Sequence, residues 1–327
     1  MKRSKGSQPP AAATASTMRA FRRAGPSGKA VEGEKEAADT LWPPLDDDIG
    51  GIVGTMPDRP PPDRTPRPVA LVTGSAQRIG LAIAQELGAH GWDIALHYRR
   101  SAEAATQAVA QLRATGVRAE AFAADLADEA ACEALVPAVQ QAFGRIDAVV
   151  NNASAFELDD VASFSTAVME RMWRANTAPA ILLARALHRA LPEGGQGAVI
   201  NLLDQKLWNP NPDYFSYTLS KAALEAANTM LAQALAPRLR VCGVAPGVTL
   251  HSGGMSDAEF AASHRMTPLG RSSTPTDVAR AVRFLLESPA VTGTTLLVDG
   301  GQHLQPQVRD VMFLAQQALR DGPPKAP

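Results

Sequence analysis

The stretch Val69-Ala-Leu-Val-Thr-Gly-Ser-Ala-Gln-Arg-Ile-Gly80 decides how the rest of the chain is read. Val69 to Val72 is a short, wholly apolar run, as expected of a strand buried on both faces. Behind it, Ile79, Ile83, Ala84 and Leu87 are spaced to line one stripe of a helix. Between the two lies Thr73 to Gly80. A turn so placed aims backbone N–H groups and the positive end of a helix dipole at one point, where a pyrophosphate can be held. Gly74 supplies the dihedrals of a tight turn, and Gly80 permits close approach of helix and ligand.

Working outward, the same alternation continues. Strand-like runs are Asp93 to His97, Glu120 to Ala124, Ile146 to Val150, Ala198 to Leu202, Arg240 to Val244 and Thr295 to Val298. Helical stretches fall between them: about Ala102 to Ala114, Glu129 to Phe143, one long helix from Ala167 to Ala190, Tyr214 to Leu235, and Thr276 to Leu286. Thr274, before Pro275 and three residues ahead of Asp277, reads as an N-cap with proline at the first helical position. Seven strands alternating with helices predict an α/β fold, a doubly wound, Rossmann-like, seven-stranded parallel sheet covered on both faces. That makes one domain over residues 67–304. Residues 1–66 are rich in proline, alanine and glycine without an apolar period, and are expected to form a disordered leader. Residues 305–327 form a tail whose apolar cluster Val311-Met-Phe-Leu314 either closes a neighbour's pocket or packs locally.

Composition narrows the function. Of 327 residues, 45% are hydrophobic and 20% charged, and the net charge is -1, which gives no basic excess to drive nucleic-acid or membrane-surface binding. No apolar run approaches the ~18 residues of a membrane span. Residues 1–30 are basic and acid-free but lack the apolar core of a secretory signal; a transit peptide, a disordered tail and an over-extended start are the alternatives. Cys132 and Cys242 lie in dissimilar settings and read as two buried thiols, which fits a reducing, cytoplasmic compartment. None of the six histidines has metal-ligand spacing, so no metal is expected.

Two further segments carry chemistry. After the second strand, an acidic residue would bind the ribose hydroxyls of NAD and repel a 2′-phosphate. Here the sequence is His97-Tyr-Arg-Arg-Ser101, with Arg100 and Ser101 suited to phosphate, so NADPH is the expected cofactor. Downstream, Tyr217-Thr-Leu-Ser-Lys221 puts a phenol and an ammonium one helical turn apart on one face. The neighbouring ammonium is expected to lower the phenol's pKa towards neutrality, giving a proton donor matched to hydride transfer. The rival phenol, Tyr214, has Thr218 four residues on, which supplies no charge.

The chain from Pro68 to Leu304 resembles the short-chain dehydrogenase/reductase family through Thr73-Gly74…Gly80, Asp125-Leu126, Asn151-Asn-Ala153, Asn176, Tyr217…Lys221, Pro246-Gly247 and Val298-Asp-Gly-Gly301. The resemblance implies that Ile79 and Tyr98 join the turn residues and Arg100 in cofactor binding. It also implies that Asp125 and Leu126 lie by the adenine and Asn152 with Ala153 along the cofactor. Asn176 would hold a proton-relay water, Lys221 the nicotinamide ribose, and Pro246, Gly247, Val248 and Thr249 would cover the nicotinamide. Three departures point to the pteridine reductase and dihydromonapterin reductase branch. Arg78 stands where most members have a glycine, Ser154 follows Asn-Asn-Ala, and Asp204 lies 13 residues before Tyr217, where a serine is usual. That branch implies that Arg78 reaches cofactor phosphate and pterin. Ser154 would bind the pterin's polar edge, Phe156 would stack on it, and Asp204 would assist Tyr217 in protonation. Other readings are a ketone or 3-oxoacyl-thioester reductase of the same family, and a nucleotide-sensing protein without turnover. Phe156 as loop packing and Asp204 as a turn cap are the plainer alternatives. The family also implies a homo-oligomer, a tetramer built through the long helices.

Overall fold

Strands with no polar face must be covered twice, and the chain folds accordingly. The computed structural model describes residues 66–251 and 254–321, so the expected leader, apart from Pro66, lies outside the described residues. The strands β1 (Val69–Val72), β2 (Asp93–Tyr98), β3 (Ala119–Ala123), β4 (Ala148–Asn151), β5 (Gly197–Leu202), β6 (Leu239–Pro246) and β7 (Thr295–Val298) form one seven-stranded sheet in the order β3-β2-β1-β4-β5-β6-β7. Every pairing is parallel. The predicted Rossmann-like sheet is therefore present.

Alternate residues of each strand feed opposite cores. Ala70, Val72, Ile94, Leu96, Val150, Ile200 and Val244 face one side, under α1 (Arg78–Ala89), α2 (Ala102–Ala114) and α8 (Pro275–Glu287). Val69, Leu71, Ala95, Val149, Val199 and Val241 face the other, under α3 (Glu129–Phe143) and α5 (Ala178–Ala190). Thr274 and Asp277 form the expected reciprocal cap at the start of α8. Cys132 and Cys242 are free and buried.

The structure departs from the sequence pattern in places with physical causes. The expected single helix from Ala167 to Ala190 is two: α4 (Thr166–Asn176) and α5, parted at Thr177. Pro179 has no N–H to offer the carbonyl four residues back, so the ladder is interrupted and Asn176 ends a helix instead of lying inside one. β6 runs on to Pro246 because that residue still pairs with Val298 in β7. After α6 (Phe215–Leu235), a helix α7 (Asp257–Arg265) starts with a Ser256–Glu259 capping box. It has a weak apolar period, and neither it nor the short 3₁₀ turns at Gln205–Trp208 and Gln302–Leu304 was predicted. The C-terminal tail forms α9 (Val311–Asp321), which packs on α7 of its own chain. Its Met312 joins Tyr214, Tyr217 and Met255 in a small buried cluster.

Between β1 and β4 the winding reverses, which opens a crevice at the carboxyl ends of the strands. His97 at the end of β2 braces the turn beside it: Gly74 N donates to its Nδ1 at 3.1 Å, and Nε2 meets Ala124 O at 3.1 Å. This fixes the neutral tautomer with the proton on Nε2. Burial accordingly pushes His97 below its ordinary value of 6.5.

Two outcomes follow from this packing. Leu71→Ala, at a fully buried mid-sheet position, should cost about 2–5 kcal/mol in equilibrium denaturation. His97 is neutral when folded and has a lowered pKa, so its contribution is complete above ~6.5. It is lost as pH falls through the folded value. Stability should therefore drop between pH 7 and 5, and His97→Asn, which keeps an acceptor for Gly74 N but does not titrate, should flatten that drop.

Candidate active site

The turn after β1 is tied to the end of β4 by a closed set of hydrogen bonds. Thr73 Oγ1 accepts from Asn152 N and Ala153 N, both at 2.9 Å. Asn152 Nδ2 donates to Thr73 O at 2.9 Å and Gly74 O at 3.2 Å. Gly74 sits at φ +61°, and a Cβ on Gly80 would lie 2.4 Å from Gly74 O, so neither position admits a side chain. Together they border a cleft of about 550 Å³. Its wall holds Gly74, Arg78, Ile79, Gly80, Asp125, Leu126, Asn152, Ala153, Ser154, Phe156 and Tyr217, all expected from the sequence. Tyr98, Arg100 and Ser101 are not part of that wall; Arg99, with His97 and Gln77, is. The signal for Arg99 was the strand end: β2 stops at Tyr98, so Arg99 is the first residue past it. A glycine-lined cradle at a helix start, with an arginine past β2 and no acidic residue among residues 97–101, fits a phosphorylated dinucleotide.

Arg78 begins α1 with φ +58°, a left-handed conformation that glycine adopts without strain. This is why a glycine is usual at this place. Here the backbone strain is accepted in exchange for a guanidinium, which lines both the large cleft and an adjoining pocket and donates to His251 O at 3.0 Å.

The adjoining pocket, of about 210 Å³, brings Tyr217 and Asp204 together with Phe156, Pro246, Gly247, Val248 and Thr249. Tyr217 Oη donates to Asp204 Oδ2 at 2.9 Å. Lys221 Nζ donates to Leu202 O at 2.7 Å and stands 5.9 Å from the Tyr217 ring centre. The sequence-based expectation of an acidified phenol does not hold in this arrangement. Burial, and next the charge of Asp204, hold Tyr217 well above the ordinary phenol value. Burial brings Lys221 down to about 8. The Asp204 carboxyl partly faces the pocket, yet the enclosing protein disfavours its charge and pushes its pKa up. The pair is thus a phenol and a carboxyl that both favour holding protons. Asp204 does also cap a turn, since its Oδ1 accepts from Lys206 N at 2.8 Å, but its other oxygen is on the phenol.

Asn176 at the end of α4 spends its whole amide on protein. Oδ1 accepts from Ala155 N at 2.7 Å and Ser154 Oγ at 3.0 Å, and Nδ2 donates to Ala155 O at 3.0 Å and Ser220 Oγ at 2.9 Å. Its side chain therefore fastens the Ser154–Ala155 loop to α6 and has no capacity left for a water. Phe156 lies flat on Tyr214, with ring centres 4.0 Å apart, and edge-on to Tyr217 at 4.6 Å. Tyr214 is the buried support of this stack, its phenol pushed up to about 12 by burial. Three pocket residues carried no sequence signal. Lys206 is buried with Nζ donating to Asp310 Oδ2 at 3.1 Å, Asp310 arrives from the tail, and Gln205 Oε1 is buried without a partner among the described residues. Their meeting depends on where the C-terminal segment docks.

Known proteins share this framework. A family profile described as enoyl-(acyl carrier protein) reductase matches residues 74–303. Pteridine reductase 1 of Leishmania tarentolae is 33% identical over 279 residues, covering 72% of this chain and 96% of that protein. A 3beta-hydroxysteroid dehydrogenase 1 of Eggerthella lenta is 33% identical, covering 72% of this chain and 94% of that protein. The crystal structure of FolM alternative dihydrofolate reductase 1 from Brucella suis, in complex with NADP, is 39% identical with a TM-score of 0.70, covering 74% of this chain and 96% of that one. With the sheet order, the turn and the Tyr217–Lys221 helix in place, the chain belongs to the short-chain dehydrogenase/reductase family of oxidoreductases, in its pteridine reductase-like branch.

Proposed function

We propose that the protein is an NADPH-dependent reductase of a C=N bond in a pterin-like heterocycle, converting a dihydropterin to its tetrahydro form. The observation that carries this reading is the Tyr217–Asp204 hydrogen bond at 2.9 Å beside Phe156 and Arg78. Bound NADPH supplies the hydride. The chain's own residues manage the proton. Tyr217 stays protonated at neutral pH and gives its proton to the substrate nitrogen. Asp204, itself inclined to hold a proton, returns one to the phenolate. Lys221 places a positive charge below the ring and compensates the transient anion.

Substrate recognition has matching parts. Phe156 is 46% exposed and has only one face against Tyr214, so a ring face is left for a flat heterocycle. Arg78 and Ser154 would satisfy acceptors on its edge, and the Gln205 amide oxygen would take an N–H. Gly74, Ile79, Gly80, Asp125, Leu126, Asn152 and Ala153 would hold the cofactor, with Pro246 to Thr249 over the nicotinamide and Arg99, ahead of Arg100 and Ser101, meeting the 2′-phosphate. The likeness to pteridine reductase 1 and to FolM supports this reading. The second reading, a ketone or 3-oxoacyl-thioester reductase, draws on the hydroxysteroid dehydrogenase relative and needs the same Tyr217 and Lys221. Trp173, Leu219 and Met230 are exposed on α4 and α6, which fits a homo-oligomer joined through these helices; light scattering would report its size. No helix among the described residues is long and apolar enough to cross a membrane, and a cytoplasmic setting belongs to this proposal.

NADPH consumption should be rapid with dihydropterins and slow with a ketoester panel; the reverse ranking selects the second reading. Tyr217→Phe should lower kcat by about 10²–10⁴-fold with either substrate class. Arg78→Gly should leave stability equal or improved, because left-handed strain of about 1–2 kcal/mol is relieved. Its kcat/KM should fall at least tenfold, separating the arginine's chemistry from its place in the fold.

A further inference from the structure

We propose that Asp310, entering from the C-terminal segment, positions Asp204 against Tyr217 through Lys206, so that residues 305–321 belong to the catalytic apparatus of their own chain. The proposal deepens the proton-donor reading above and rests on it. Lys206 is the hub. Its side chain is 4% exposed, and Nζ donates to Asp310 Oδ2 at 3.1 Å and to Asp213 O at 2.7 Å. The same ammonium stands 5.3 Å from the Tyr214 ring centre. Its backbone N donates to Asp204 Oδ1 at 2.8 Å. One residue therefore joins the tail, the start of α6 and the carboxylate that touches Tyr217.

The joint is closed a second time in the opposite sense. Asp213, just ahead of α6, accepts from Arg309 Nε at 2.9 and 2.8 Å, one contact to each carboxylate oxygen, and from Asp310 N at 2.7 Å. Met312 N donates to Asp310 Oδ1 at 3.1 Å and aims the other oxygen at Lys206. A cation from the 3₁₀ turn meets a carboxylate of the tail, and a carboxylate of the α6 entry meets a cation of the tail. A buried ammonium is held in place only while its partners stay. Without the Asp310 carboxylate, Lys206 keeps a single carbonyl, and the turn that holds Asp204 loses its fixed geometry.

The charges facing Asp204 set the direction of the electrical effect. Tyr217 and Lys221 face it from α6, Lys206 from its own turn, Asp310 from the tail, and Arg78 lines the same pocket from α1. Of these, the negative charge of Asp310 favours the protonated forms of both Asp204 and Tyr217, and Lys206 opposes it at Asp204. Asp310 is thus a positioning residue that also keeps the donor pair loaded.

The test uses the full-length chain with NADPH and the best substrate of the panel. Asp310→Asn should lower kcat at least tenfold, leave KM for NADPH unchanged, and move the high-pH limb of the kcat profile to lower pH. Asp310→Glu should restore that limb. Arg309→Ala loosens the tail while keeping the Asp310 charge, so it should raise substrate KM without moving the limb. Amide hydrogen exchange gives a readout that needs no turnover: in Asp310→Asn, exchange should speed up both in Val311–Asp321 and in Gln205–Trp208. An unmoved limb, or faster exchange confined to Val311–Asp321, would overturn the coupling. A wild-type enzyme that turns over no substrate sinks the proton-donor reading instead, and the exchange comparison still decides whether tail and turn are joined.

Discussion

A parallel sheet packed with helices on both faces leaves little besides its ends and its β3 edge in contact with solvent, and the rest of this protein is arranged around that constraint. Leu71, Val149 and Val199 on one side, and Val72, Val150 and Ile200 on the other, are buried completely, so the strands offer no surface for chemistry. Polar groups collect instead where the strands stop. Because the winding reverses between β1 and β4, two loops leave in opposite directions there, and Thr73, Gly74, Asn152 and Ala153 lock them together by four hydrogen bonds. The crevice is thus a product of topology, and the hydrogen bonds hold it to one width.

Burial then decides the acid–base character of the site. A phenol one turn from an ammonium would be expected to acidify, yet the ammonium of Lys221 is turned to a main-chain carbonyl, and the phenol's partner is a carboxyl. In a poorly solvated pocket the neutral forms of Tyr217 and Asp204 are favoured, and the same burial disfavours the Lys221 ammonium, bringing it down to about 8. Under the proposed function, a reductase needs a loaded donor at neutral pH, and this balance would supply one.

Backbone strain is concentrated in the same few ångströms. Among the described residues, the non-glycine positions with positive φ are Arg78 and Tyr214. Arg78 starts α1 and lines the pocket beside Asp204, and Tyr214, the residue just ahead of α6, is the buried platform beneath Phe156. Such conformations cost of order 1–3 kcal/mol and persist where packing over-determines them. Here the packing is the fully covered sheet behind the site.

Local periodicity determined a great deal by itself. Four apolar residues before a glycine-bearing turn, a helical stripe after it, and the repetition of that unit were enough for the sheet and for most helix boundaries, while Asp125, Leu126, Asn152 and Ala153 along the cleft were named by the family resemblance. These features are local, since apolar spacing and capping residues such as Thr274 act within a few positions. Tertiary structure alone decided the remainder. That Arg99 and not Arg100 lines the cleft depends on where β2 ends, and that Asn176 ends a helix depends on Pro179 interrupting the ladder. The meeting of Lys206 with Asp310, 104 residues away, depends on α9 docking against α7, and no spacing in the sequence encodes such a contact. The state of the phenol likewise follows from how much protein surrounds it and which way its neighbours point, quantities that exist only once the chain has folded.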